Sequence, residues 1–263
     1  MPTNSELTPV VSRGWSGGLR NMMSAELGRW FGTRTWWSQA LIWVLVIDGL
    51  LLAIFSQEAG PELPEVTTMF VLFAGLFPPI AVIISAQDAI VGEKDKGTAA
   101  WVLSKPVSRT SFVLSKMIAY SLGILVSLVL IPSIGAFFEM TFLGSGGVEL
   151  APFALGVGML WLYMCFYLLL TLMLGTFFSQ RAPVIGIPLA LAFGQQILFG
   201  VLPVMAKILP WTIVIPFGTM EHSIISAVMA GQAPPDMLPF WIACGGLVVF
   251  IAVSLWRFER EEL

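Results

Sequence analysis

Charge is scarce in this chain. Its 263 residues hold 13 Lys and Arg and 16 Asp and Glu, so 11% are charged, against roughly 25% in an ordinary soluble domain. The formal net charge is -3, which gives no clustered basic footprint for nucleic acid. Cysteine is nearly absent: Cys165 and Cys244 each lie inside an apolar run, without the spacing of a metal or redox site. His222 is the sole histidine, and no Cys/His pairing accompanies it, so no nucleophilic triad is assembled and no catalytic residue is expected. No Gly-Lys pair occurs, which excludes a phosphate-cradling loop of the G-x-x-x-x-G-K-[ST] kind. Residues 1–14 lack the basic start, apolar stretch and cleavage site of a signal peptide, so the first span is expected to target the chain itself.

Apolar length, by contrast, is plentiful, with 57% of residues hydrophobic. A helix needs about 20 mostly apolar residues to cross a hydrocarbon core of about 30 Å. Six segments meet that length, at about 36–56, 66–91, 109–138, 152–178, 183–205 and 238–256. The reading is an all-α membrane protein with a six-span domain over 36–256, a tail at 1–14 and a second tail at 257–263. Residues 206–237 are too broken by proline and glycine for one span. They are expected to form one or two short re-entrant or interfacial helices on the outer side.

Orientation comes from Lys and Arg, which concentrate in cytoplasmic loops. With the N-terminus inside, Arg13, Arg20, Arg29, Arg34, Lys94, Lys96, Lys105, Arg109, Lys116, Arg181, Arg257 and Arg260 all fall inside, and Lys207 alone falls outside. Glu58, Glu62, Glu65, Glu149, Glu221 and Asp236 then face outward. Both termini are expected to be cytoplasmic. Upstream of the first span, Trp15, Leu19, Met22, Met23, Leu27, Trp30 and Phe31 make a helical stripe, so 15–35 is expected to be an amphipathic interfacial helix. Glu26 falls within the apolar face of that stripe. Pro78 and Pro79 should bend the second span, Pro132 falls late in the third, and Pro183 and Pro188 open the fifth.

The one dense cluster of charge is DAIVGEKDKGTAAWVLSKPVSR, residues 88–109, between the second and third spans. Glu93, Lys94, Asp95 and Lys96 end an apolar run; Gly97 can take the left-handed conformation that stops a helix, and Thr98 is a good N-cap for the next one. Ala99 to Ser104 can form a short helix that Lys105-Pro106 ends, and Ser108 then caps the third span. A short cytoplasmic helix held between two spans is the expected result.

These residues resemble the permease subunits of the ABC-2 type transporter family. The resemblance is carried by Glu93, Gly97-Thr98, Leu103-Ser104, Pro106-Val107-Ser108-Arg109 and Lys116, and by Glu26-Leu27 with Arg34 ahead of span one. DAIVGE is also similar to the permeases of the transporter that helps mature nitrous oxide reductase. The resemblance implies a multi-pass protein of the cytoplasmic membrane of a prokaryote, and a homodimer that rests on separate ABC ATPase subunits. ATP and Mg would be bound by those subunits and no cofactor or metal by this chain. It further implies a coupling helix over about Glu93 to Ser104, with Glu93, Asp95, Gly97, Thr98, Trp101, Leu103, Pro106 and Arg109 as coupling residues. Glu26 and Arg34 would form a second cytoplasmic contact. An exporter is the expected function. The alternatives are an ion-coupled secondary carrier and a non-transporting membrane anchor of an ATPase complex.

Asp48 lies near the middle of span one, where an ionised carboxylate is expensive. A proton or ion relay and a neutral, hydrogen-bonded tie between spans both fit it, with Gln195 or Gln196 as polar neighbours. Glu139 and Asp88 read as interface residues, His222 as structural, and Met159, Met164 and Met173 as adaptable packing.

Overall fold

The structure, a computed structural model, describes residues 14–57, 62–144, 147–218, 220–234 and 236–261. Arg13 with most of the expected 1–14 tail, Glu58 and the last two residues of the C-terminal tail lie outside the described residues. Thirteen α-helices and no strand occur among those described. Five helical segments among them are long and apolar enough to cross a membrane: Thr35–Ser56, Leu63–Asp95, Arg109–Leu143, Leu150–Phe177 and Leu238–Glu259.

A short helix α1 (Leu19–Gly32) precedes α2 (Thr35–Gln57). The next crossing is bent, as its prolines demand. Helix α3 (Leu63–Leu76) ends at Phe77, and α4 (Pro78–Ala86) begins with Pro78 and Pro79 in its first turn, where a missing N–H is tolerated. Two very short helices come next, α5 (Val91–Asp95) and α6 (Thr98–Leu103). Helix α7 (Arg109–Ile124) passes through a π-helical segment, Leu125–Leu130, into α8 (Ile131–Leu143). The third crossing therefore ends at Leu143 rather than near 138. Its π segment lies just before Pro132, which cannot donate a backbone hydrogen bond to the turn preceding it.

Helix α9 (Leu150–Phe177) is the axis of the bundle. Tyr163 to Leu172 are ten consecutive buried residues, and a helix apolar on every side belongs in an interior. Helices α4, α7, α10 (Arg181–Val201), α12 (Ile224–Met229) and α13 (Leu238–Glu259) surround it. The outward faces of α2 and α13 carry exposed Leu41, Ile42, Leu45, Leu52, Val248 and Val249, a surface suited to lipid rather than water.

Between α10 and α13 the chain forms a 3-10 turn at Pro203–Lys207, then α11 (Trp211–Val214) and α12. Ile213, Val214, Ile224 and Ile225 are fully or almost fully buried. Val214 packs so closely on Gly75 that a Cβ there would stand 2.5 Å from it. Gly75 lies about 18 Å along α3 from its start, so α11 reaches deep into the bundle. Gln195 makes that depth tolerable: its Oε1 accepts from the backbone N–H of Trp211 at 3.0 Å, and its Nε2 donates to Tyr167 at 3.1 Å. Gln195 is thus committed to α9 and α11, and it is not the polar neighbour expected for Asp48. The side chain of Gln196 lies outside the described residues. His222 Nδ1 sits 3.1 Å from the Thr68 hydroxyl, joining this segment to α3.

Candidate functional site

Leu63–Asp95 and Arg109–Leu143 each contain more than 30 residues, or about 50 Å of helix at about 1.5 Å per residue. That exceeds a hydrocarbon core of about 30 Å, so one end of each must project. The start of α7 is covered by α1 and the turn before it. Ser108 N–H donates to Gly17 O at 3.0 Å, and the Ser111 hydroxyl donates to Trp15 O at 3.0 Å. Further along, Glu26 meets Lys116 and Trp30 meets Tyr120 edge-on at 5.2 Å. The two helices therefore run side by side in the same direction. Gly123 permits this closeness, because a Cβ there would come within 2.3 Å of the Trp30 ring. Met22 and Trp30 of the α1 stripe thus pack against the core that α7 helps to form, while Trp15 and Phe31 are exposed.

Glu26 is explained by the same packing. It is 3% exposed, and its Oε1 lies 2.7 Å from the Lys116 Nζ, which has no exposure at all. Lys116 also reaches Glu93 at 2.8 Å; Arg29 reaches Glu93 at 3.0 Å and Glu26 at 3.4 Å. Two cations and two carboxylates are joined in one neutral cluster, the arrangement that charges stripped of water require. Burial alone would lower the pKa of Arg29, but its hydrogen bond to Glu93 and the nearby charges of Glu26 and Glu93 reverse this and raise it, keeping the guanidinium charged. The inward carboxylate of Glu26 ties α1 to α7.

Glu93 carries this tie into the loop. It stands in α5, and Gly97 comes after it with φ 67°, the left-handed geometry expected there. Thr98 is not the N-cap; Gly97 holds that position, and the Thr98 hydroxyl instead donates to the Glu93 carbonyl at 3.1 Å, closing the end of α5. The segment of about 93–104 is thus two short helices that meet at Gly97, where the residues place a stop. Ser108 does cap α7, accepting from Ser111 N–H at 3.0 Å. Ala99 faces inward and Leu103 is half-buried, whereas Asp95, Lys96, Gly97, Thr98, Ser104 and Pro106 are exposed. Trp101 is 63% exposed, with the Lys105 ammonium 4.2 Å from its ring centroid. Trp101 is thus presented outward from a helix that follows the Glu93–Lys116 ion pair in the chain. Arg34 is exposed in the turn between α1 and α2.

A second set of ties fixes the opposite flank. Arg109 Nη1 donates to the carbonyls of Phe258 and Glu259 at 3.3 and 3.2 Å, and to that of Glu261. A guanidinium at the last carbonyls of α13 satisfies acceptors that have no helical partner. Lys94 pairs with Glu261 at 2.7 Å and donates to Thr176 O at 3.2 Å. Phe112 and Phe258 stack with centroids 5.2 Å apart. Arg181 pairs with Asp88 at 2.8 Å. The ends of α1, α7, α9 and α13 are thus gathered around α5 and α6. Lys94, Lys116, Arg29 and the C-terminal residues were not identified as site residues from sequence, although a lysine seven residues into a span and a glutamate on an apolar face are complementary anomalies.

Elsewhere, Asp48 is 4% exposed, and neither carboxylate oxygen has a hydrogen-bond partner among the described residues. A Cβ on Gly135 of α8 would stand 2.4 Å from its Oδ2. Glu139 Oε2 is likewise buried without a partner among them. Among the described residues, no group of three or more His, Cys, Asp and Glu is placed to hold a metal ion.

The comparison with known proteins agrees with this architecture. Residues 34–263 match the sequence profile of the ABC-2 family transporter protein. The chain is also similar to the probable ABC transporter permease protein NosY of Pseudomonas aeruginosa, at 23% identity over 248 residues, covering 86% of this chain and 89% of that one. With a profile match that takes in all five long apolar segments and the α5–α6 surface, the chain belongs to the ABC-2 family of transporter proteins.

Proposed function

We propose that this chain is the membrane-spanning subunit of an ATP-driven exporter. It works as a dimer with separate ATPase subunits, which seat against α5 and α6 in the cytoplasm. Helix α10, 21 residues long, makes the sixth crossing and brings both termini to the cytoplasmic side, in keeping with the distribution of Lys and Arg. The name of the Pseudomonas aeruginosa relative supports the permease role. The observation that carries the reading is the exposed face of Asp95, Thr98, Trp101 and Pro106, backed by Glu93 on the fully buried Lys116. A push on α6 would pass through Glu93 to α7 and α1, and through Lys94 and Arg109 to α13, so that several crossings move with the loop.

The test is co-purification of the chain with the ATPase encoded beside it, followed by ATPase assays in liposomes. Trp101→Ala is expected to weaken association at least tenfold while leaving the permease folded, because an exposed aromatic anchor is worth about 2 kcal/mol or more at an interface. Glu93→Lys is expected to abolish coupled turnover. Unchanged association and turnover in both variants would refute the assignment.

A further inference from the structure

Asp48 sits about 20 Å along α2 from Thr35 and about 14 Å before its end at Gln57, so it is far from both ends of its crossing. Its carboxylate is packed against the bare Cα of Gly135, with both oxygens buried and neither accepting a hydrogen bond from the described residues. Glu139 lies one turn of α8 beyond Gly135, on the same side of that helix. Glu139 is only partly buried and lies about 6 Å from the end of α8 at Leu143. That end is opposite the α5–α6 loop.

We propose that Asp48 and Glu139 form an intramembrane proton-binding site, with Asp48 as the inner carboxyl and Glu139 as the group through which protons enter from the side opposite the α5–α6 loop. An ionised carboxylate at this depth would need a cation or several donors. The described elements packed on α2 pair no cation with Asp48, and neither Asp48 oxygen accepts a hydrogen bond from them. Helix α8 contributes Glu139, which has the same sign, and the π segment LVSLVL has no titratable group. Glu65 of α3 lies in the first turn of that helix, and Glu26 and Arg29 of α1 are paired in the cluster at the other end. A multivalent metal ion would require more oxygen ligands than two carboxyl groups provide. A proton satisfies the site: it resides on an Asp48 oxygen, is received from Glu139, and is replaced there from water, with no other bond formed or broken. Sliding of α2 past α8 would lift Asp48 from Gly135 and open the site to exchange.

The full chain in a detergent that carries no ester or carboxyl group, without any ATPase, is sufficient for the test. At neutral pH ordinary carboxyl groups, with pKa values near 4, are ionised, so an infrared C=O band of protonated carboxyl isolates this site. The wild type is expected to show the band, Asp48→Asn to lose it, and Asp48→Glu to retain it at a shifted frequency. Glu139→Gln is expected to keep the band but slow its deuterium exchange by about tenfold or more, as loss of a relaying acid should. The proposal is overturned if the wild type lacks the band, if Asp48→Asn retains it unchanged, or if excess sodium or potassium abolishes it. An unchanged exchange rate in Glu139→Gln would overturn the entry role.

Discussion

Two regions of this bundle, the α5–α6 end and the middle of α2, treat buried carboxylates in opposite ways. At the α5–α6 end, Glu26 is almost fully buried yet has Lys116 at 2.7 Å and Arg29 at 3.4 Å, and Glu93 shares both cations. At the α2–α8 contact, Asp48 is as deeply buried and has no partner for either oxygen among the described residues. The first solution makes a charge into a structural tie, since removing either partner strands the other in a poor solvent. The second holds an acid whose charge is not needed for packing, which leaves it free to change protonation state.

Breaking the tie at the paired end should give the largest effect. Lys116→Met leaves Glu26 and Glu93 facing each other across the position of a lost cation. It is expected to destabilise the protein by about 3–5 kcal/mol, read as a fall in melting temperature and as proteolytic release of α1. The double substitution Lys116→Met with Glu26→Leu should recover most of that loss, because two apolar groups replace two charges. A single variant as stable as the wild type would show that the ion pairs are not what holds α1 to α7.

Gly97→Ala sharpens the same region by testing the backbone rather than the charge. With φ 67° and nothing within 4 Å of a built Cβ, the only penalty is that of a left-handed L-residue, about 1–2 kcal/mol. Thermal unfolding should show it, and Gly97→Asn should be milder. At the unpaired site the prediction reverses. Asp48→Asn replaces a carboxyl group on which no described partner depends with an amide of the same shape, so stability should change by no more than about 1 kcal/mol. A loss comparable to that of Lys116→Met would mean Asp48 has a structural partner, and the contrast between the two sites would collapse.

Much of this was legible in the chain itself. Long apolar runs located the five helical segments long enough to cross a membrane, because a bilayer fixes the length a helix must have. Prolines located the break at Phe77, and Gly97, Pro106 and Ser108 located the stops and starts of the charged loop, since these residues act through their own backbones. Thr98 was misassigned as a cap because Gly and Thr both suit that position, and the hydroxyl found the carbonyl of the preceding helix instead. The N-terminal stripe was visible, but its partner was not: periodicity tells which face of α1 is apolar and says nothing about what covers it.

The pairing of Glu26 with Lys116 joins residues 90 positions apart, and that of Lys94 with Glu261 joins residues still further apart. Sequence determined the local instructions: where helices run, bend and stop, and where charge is tolerated. Tertiary structure alone decided which buried charges meet. Glycines at 123 and 135 show why: at each, the missing side chain lets a neighbouring helix approach, and the same device brings Trp30 onto α7 but leaves Asp48 against bare backbone. Whether a buried carboxylate becomes a tie or remains free depends on what the facing helix presents across that gap.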